Sequence, residues 1–322
     1  MLHTPLKFTP LYKYRMWGGE KLKTHLNKKY SENSIGESWE ISDVSGDQTM
    51  VSEGEHKGKT IKNLIEEYGA DFLGKSVYEK FGNDFPLLIK FIDAKTPLSI
   101  QVHPSDELAK ERHNSFGKNE MWYVMQADDN AELLVGFDKK LNKETYKKVL
   151  EENEILKVLH TEKVTAGDVF NIPTGRVHAI GAGVLLAEIQ QTSDITYRIY
   201  DYNRVDEKLG TTRELHTEQA LDAIDFTVEN SYKTSYNSPE NKISHLVHTP
   251  YFKTNILTLN DDLNMDYTAI DSFVIYICVE GNASLECNSE SFKLNTGETI
   301  LLPATINKIQ LKGTARLLEV SL

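Results

Sequence analysis

Cysteine is nearly absent from this chain. Cys278 and Cys287 are the only two in 322 residues, and no CxxC pair occurs. That excludes a disulfide framework and a thiolate zinc site, and both thiols are expected to be reduced. Long apolar runs are absent as well; no stretch approaches the roughly 20 residues that span a bilayer. The first residues, MLHTPLKFTPLYKYRMWGG, lack the apolar segment and small-residue cleavage pattern of a secretory signal. A cytoplasmic location without membrane contact is expected. Basic residues are outnumbered, 36 Lys and Arg against 48 Asp and Glu, for a net charge of −12. Nucleic-acid binders carry a basic face, so this balance argues against one. It leaves room for a local basic pocket built from a few Lys and Arg. GxSxG, P-loop and helix-opening GxGxxG motifs are all missing, which removes the commonest hydrolase and nucleotide-binding readings.

Apolar residues make up 39% of the chain, enough for a sizeable core in one large or two modest domains. Helical periodicity is confined to a few places. Thr60 is placed to cap a helix carrying Ile61, Leu64, Ile65 and Tyr68 on one stripe. Lys143 to Leu159 is a second candidate, with Tyr146, Val149 and Leu150 aligned. Ser105 can cap a short helix through Leu108, and a fourth candidate runs from Glu214 to Ile224. Most other segments are short β-rich runs bounded by Gly, Pro and Asn: Pro86–Ile92, Leu98–His103, Met121–Met125, Leu133–Phe137, Val184–Ile189, Phe273–Val279 and Thr299–Leu302. Many short strands with turn signals predict a mainly β sandwich or barrel.

The chain repeats itself once. Residues 165–178 read TAGDVFNIPTGRVH and residues 296–308 read TGETILLPATINK, with Gly167 to Pro173 and Gly297 to Pro303 equally spaced. A polar stretch, Glu229 to Asn241, reads as a linker between two related β modules. His178 lies eleven residues after the first glycine; Lys308 holds that offset in the second copy. Any metal chemistry is therefore expected in the first module alone.

A candidate metal site lies there. In an extended PLSIQVHP segment (97–104), Leu98, Ile100 and Val102 face one side, and Ser99, Gln101 and His103 the other. An inward row of Gln and His is costly unless bonded, and a metal ion would satisfy it. Glu120 opens the next strand and His178 follows the first repeat, completing a set of two imidazoles, a carboxylate and an amide. Zinc suits these donors, as do iron, manganese and cobalt. Spacing alone leaves a second reading open, in which both histidines are simply hydrogen-bonded. The other eight histidines are assigned no role. Lys90 interrupts the apolar run LLIKFI, where burial would lower its pKa unless it is paired; a strand-edge lysine reaching water is the alternative.

The segments PLSIQVHP (97–104), GKNEMW (117–122), IPTGRVHAI (172–180) and EIQQTSDITYRIYDYN (188–203) resemble the type I mannose-6-phosphate isomerases in their short bacterial form. Trp17-Gly18-Gly19 and Gly36-Glu37-Ser38-Trp39-Glu40 fit as well. The resemblance covers most of residues 1–225 and is looser over 240–322. It implies cupin (jelly-roll) β-barrel modules with a few inserted helices: a catalytic module over 1–228 and a second cupin over 229–322 without metal ligands. It implies one zinc per chain on Gln101, His103, Glu120 and His178, and interconversion of mannose 6-phosphate and fructose 6-phosphate. The family's catalytic arginine matches Arg198, its active-site lysine matches Lys118, and Lys90 and Asp194 match further positions proposed for chemistry. Longer members read His-Lys-Pro-Glu where this chain has Gly117-Lys118-Asn119-Glu120, so a histidine role at Gly117 is lost.

Aldose–ketose isomerisation moves a proton between C2 and C1 through an enediol, which calls for charge stabilisation, a general base and fixed cations for the phosphate. If extended, Asp194, Thr196, Arg198 and Tyr200 share one face, so Arg198 is expected to face the metal cavity; its alternative is an ion pair with Asp194 or Asp201. Lys118 and Arg204 are candidate phosphate contacts, Arg204 equally a solvated residue. The acid–base residue is left unassigned. A small-molecule sugar phosphate is the expected partner, and the chain is expected to be a monomer or homodimer. Two rival functions remain: another metal cupin enzyme, such as an iron oxygenase, and a non-catalytic sugar-phosphate-binding cupin.

Overall fold

Strands dominate the computed structural model, which describes residues 2–322. Strands of three or more residues are numbered here in chain order, as are helices of seven or more. The first module contains β1 (Leu11–Gly19), β2 (Ile35–Ile41), β3 (Leu87–Ala94), β4 (Ile100–Val102), β5 (Glu120–Ala127), β6 (Glu132–Phe137), β7 (Leu159–Lys163), β8 (Val169–Ile172), β9 (His178–Ile180), β10 (Val184–Gln191) and β11 (Tyr197–Tyr200). They form a five-stranded sheet, β7-β6-β9-β4-β11, and a six-stranded sheet, β8-β5-β10-β3-β1-β2. Every pairing within them is antiparallel.

Period-2 alternation decides which residues lie between the sheets. Ile92, Trp122, Val124 and Leu186 of the larger sheet join Leu133, Val135 and Ile180 of the smaller in one core cluster. The intervening residues, Ile89, Phe91, Met121, Tyr123, Ala187 and Ile189, point the other way into a second cluster. There they meet Ile256, Phe273, Ile275, Ile277, Leu318 and Val320 of the carboxy-terminal sheet. That sheet contains β12 (Ile243–His248), β13 (Lys253–Leu259), β14 (Leu263–Asp266), β15 (Val274–Cys287), β16 (Glu290–Asn295), β17 (Thr299–Leu302) and β18 (Lys308–Ser321). Its order is β12-β13-β18-β15-β16, with β14 on β18 and β17 on β15.

The helices fill the flanks: α1 (Ile61–Tyr68), α2 (Lys75–Phe81), α3 (Asp106–His113), α4 (Lys143–Glu151) and α5 (Thr217–Ala223). Thr60 caps α1 in a capping box with Asn63, and Ser105 caps α3, as their sequences predict. The expected helix from Lys143 to Leu159 ends early. Asn153 takes a left-handed backbone (φ 56°), and Leu159 begins β7 instead. The fourth candidate forms only over α5. No helix among the described residues is long and apolar enough to cross a membrane. Both cysteines are free and buried.

The stretch read as a linker has no regular structure but is docked. Tyr232 is buried, and its hydroxyl donates to the Phe137 carbonyl at 3.1 Å. The internal repeat is structural: Gly167 and Gly297 both adopt positive φ (94° and 82°) ahead of β8 and β17. Lys308, at the offset of His178, is an exposed residue facing Asp266 at 3.6 Å.

All three tryptophans, Trp17, Trp39 and Trp122, lie in the first module. Phe273 is fully buried against Phe85, ring centroids 4.8 Å apart. Phe273→Ala should cost about 3–5 kcal/mol and shift the tryptophan-detected urea transition. An unmoved transition would mean the two sheets unfold independently.

Candidate active site

Three cross-strand neighbours start the site. Gln101 on β4 stands opposite His178 on β9 and opposite Arg198 on β11, so the three side chains share one face. His103 follows the end of β4. Glu120 reaches across from β5 of the facing sheet, so the donors come from both sheets.

Two imidazoles are held in one tautomer. His103 Nδ1 lies 2.9 Å from the Ile195 carbonyl and His178 Nδ1 2.8 Å from the Arg176 carbonyl. A carbonyl only accepts, so each Nδ1 carries the proton and each Nε2 keeps its lone pair. Those lone pairs converge on Glu120: His103 Nε2 is 3.5 Å from Oε2, and His178 Nε2 is 3.4 Å from Oε1. The ligand atoms of the three residues all lie within 4.8 Å of one another, and all three residues are buried. Burial, with the Lys118 charge, holds His103 well below the usual imidazole range; burial takes His178 down to about 3. Glu120 Oε1 is buried without a hydrogen bond. Burial and the Glu188 carboxylate push Glu120 above the ordinary carboxylate range, against the pull of Lys118. An orphaned carboxylate oxygen and two unprotonated ring nitrogens gathered this closely fit a divalent cation. Gln101 Nε2 is 3.3 Å from His178 Nε2; a half-turn of the amide would present its oxygen instead.

Beside the cluster lies a cavity of about 540 Å³, lined by Gln101, Lys90, Lys118, Glu188, Asp194 and Arg198 among others; Gln101 and Lys118 connect it to His178 and Glu120. Lys90 is not at a strand edge. It is buried in the middle of the six-stranded sheet, 3.2 Å from Glu188 and over the Trp39 ring. Lys118 is buried, bonded to Glu120 and 3.9 Å from Glu188. Arg198 is half-buried. Its Nη1 donates to the Glu214 carbonyl at 2.8 Å, and its Nε is unsatisfied. Burial and then the Arg213 charge disfavour its cation, so an anion in the cavity would favour it. Asp194 is exposed at the rim.

Three expectations need correction, and the alternative offered for Arg198 does not form. Arg198 makes no ion pair with Asp194 or Asp201; Asp201 binds Arg204 and Arg213 instead. Arg204 is not a cavity residue: its guanidinium is held by Asp201 and, at 2.7 Å, by the Pro97 carbonyl. Tyr200 leaves the face of Arg198, because a bulge between them shifts the register and turns the ring toward Tyr202. Leu98 lines the cavity rather than joining Ile100 and Val102, which pack under Ala220 and Leu221 of α5.

Sequence reasoning missed Glu188 and the Arg15–Glu37 pair. Glu188 breaks the apolar run of β10 as Lys90 breaks that of β3, and the two stand opposite one another. Trp122 Nε1 donates to it at 2.9 Å. Burial raises Glu188, yet Lys118, Lys90 and this bond hold it below the usual range. Gly117 is buried, and a Cβ there would lie 2.7 Å from the Asp106 amide nitrogen.

A mainly β protein with inward His, His and Glu donors beside a cation-lined cavity belongs to the metal-site cupins. Residues 6–149 match the family model for the phosphomannose isomerase type I catalytic domain, and residues 242–322 that for the mannose-6-phosphate isomerase cupin domain. The mannose-6-phosphate isomerase ManA of Bacillus subtilis is 32% identical over 318 residues, 98% of each chain. That of Streptococcus mutans is 32% identical, covering 93% of this chain and 92% of that one. A crystal structure of the Bacillus subtilis mannose 6-phosphate isomerase superposes with a TM-score of 0.90 at 31% identity, covering 99% of this chain and all of that one. The chain belongs to the type I mannose-6-phosphate isomerase family.

Gly117→His, which restores the residue of longer relatives, should displace the start of α3 and lower stability by about 1–3 kcal/mol. A thermal midpoint equal to wild type would contradict that packing.

Proposed function

We propose that the protein interconverts mannose 6-phosphate and fructose 6-phosphate by moving a proton between C2 and C1 through an enediol. One observation carries this reading: buried His103, Glu120 and His178 converge beside a cavity lined by six cations and four carboxylates, in a chain whose net charge is −12. Gln101, His103, Glu120 and His178 would hold one divalent ion, with zinc favoured by the nitrogen and oxygen donors. When bound, such an ion supplies Lewis-acid stabilisation of charge developing on the sugar oxygens.

The remaining work falls to this chain's own side chains. Arg198, beside Gln101 and without a carboxylate partner, stabilises the anionic enediol. Lys90 and Lys118 both line the cavity, so each can exchange a proton with a substrate atom. Glu188 and Glu120 pair with them and fix their positions. Asp194 at the rim is placed to accept from sugar hydroxyls.

A coupled assay on mannose 6-phosphate tests the proposal. Turnover should vanish on chelation and return with one equivalent of divalent metal. Glu120→Gln should purify with much less metal than wild type. Arg198→Ala should lose about a hundredfold or more in kcat with an unchanged melting temperature. Metal-loaded protein that binds the sugar phosphate without turning it over would instead make this a sensor.

A further inference from the structure

Four of the six cations lining the cavity are already neutralised. Arg15 is bound by both oxygens of Glu37 at 2.9 Å, and Lys90 by Glu188 at 3.2 Å. Lys118 is bonded to Glu120, and Arg213 is gripped twice by Asp201, at 2.8 and 2.5 Å. The two without a carboxylate partner among the described residues are Arg198 and Lys208. Arg198 stands beside the donor cluster, opposite Gln101. Lys208 stands at the exposed mouth, on the turn joining the short strands Val205–Asp206 and Thr211–Thr212.

This turn is fastened to the body of the protein. The buried Asp206 carboxylate accepts from the Tyr14 hydroxyl at 3.0 Å, and from the Lys208 and Leu209 backbone N–H groups at 2.9 and 3.2 Å. The Lys208 ammonium rests over the Tyr14 ring, 4.5 Å from its centroid. Leu209 also lines the cavity, although it is 67% exposed. The turn therefore presents a cation and an apolar side chain at the rim, neither of which the protein itself engages strongly.

A hexose 6-phosphate carries its reacting carbons, C1 and C2, at one end and its dianion on C6 at the other. With the reacting end at the donor cluster beside Arg198, the dianion falls toward the mouth. We propose that Lys208 is a specificity-determining residue that binds the substrate phosphate, with the 205–212 turn as its mount. The proposal rests on the isomerase reading for the identity of the substrate. Arg204, the other candidate, is engaged by Asp201 and the Pro97 carbonyl.

Metal-loaded wild type, Lys208→Gln and Lys208→Arg are to be compared in two ways. Binding of sorbitol 6-phosphate, which has no carbonyl to isomerise, is followed by the fluorescence of Trp17 and Trp39, which line the cavity. Lys208→Gln should weaken it about tenfold or more, and Lys208→Arg should restore it to near wild type. With mannose 6-phosphate, the same loss should fall on KM and leave kcat nearly unchanged. Wild-type affinity in Lys208→Gln, or a loss that arginine does not rescue, would overturn the proposal. The binding arm needs no turnover. A Lys208-dependent affinity in a protein that isomerises nothing would support the phosphate contact and refute the isomerase reading.

Discussion

Two carboxylates buried side by side govern this structure. Glu120 and Glu188 project from adjacent strands into the space between two sheets, and both are almost wholly removed from water. A buried ion costs several kcal/mol unless it is partnered. Lys90, Lys118 and the Trp122 indole surround them for that reason, whereas His103 and His178 turn nitrogen lone pairs toward Glu120. One oxygen, Glu120 Oε1, is left without a hydrogen bond. The two ammonium groups balance the two carboxylates, but this oxygen and two nitrogen lone pairs remain without a proton or cation between them.

The carboxy-terminal sheet shows what happens when that demand is removed. In the first module Trp122 pairs with Phe170 and Glu188, and donates to Glu188. In the second, Tyr276 pairs with Ile300 and Glu319, and donates to Glu319 at 3.1 Å. Tyr267 and Asn255 satisfy the same carboxylate at 2.6 and 2.9 Å. Val274 stands where the pairing pattern puts Glu120, and Lys308 where the repeat puts His178. The second module keeps the skeleton of the site with the Glu319 carboxylate satisfied by neighbouring hydroxyl and amide groups. Its outer face closes the back of β3, β5 and β10, whose inner faces carry Lys90, Glu120 and Glu188.

Much of this was legible in the sequence because two-residue alternation and repeat spacing are local signals. They placed Gln101 and His103 together, marked Lys90 as anomalous and confined the donors to the first module. The same alternation argument, applied to LLAEIQQ, would have found Glu188. What escaped depended on register and on distant partners. A one-residue bulge turned Tyr200 away from Arg198. Arg204 was claimed by Asp201, three residues earlier in the chain, and by the carbonyl of Pro97, more than a hundred residues away. The helix beyond Glu151 failed because the chain turns at Asn153, which no apolar stripe records. A catalytic role for Arg198 came from family likeness, since one arginine in a β run carries no signal of its own.

X-ray absorption at the metal edge of the loaded protein tests the account most directly. It predicts one divalent ion per chain, surrounded by light donors at about 2.0–2.2 Å, two of them imidazoles, with one imidazole lost in His178→Ala. A shell without imidazole scattering, or one unchanged by that substitution, would place the metal elsewhere and contradict the account.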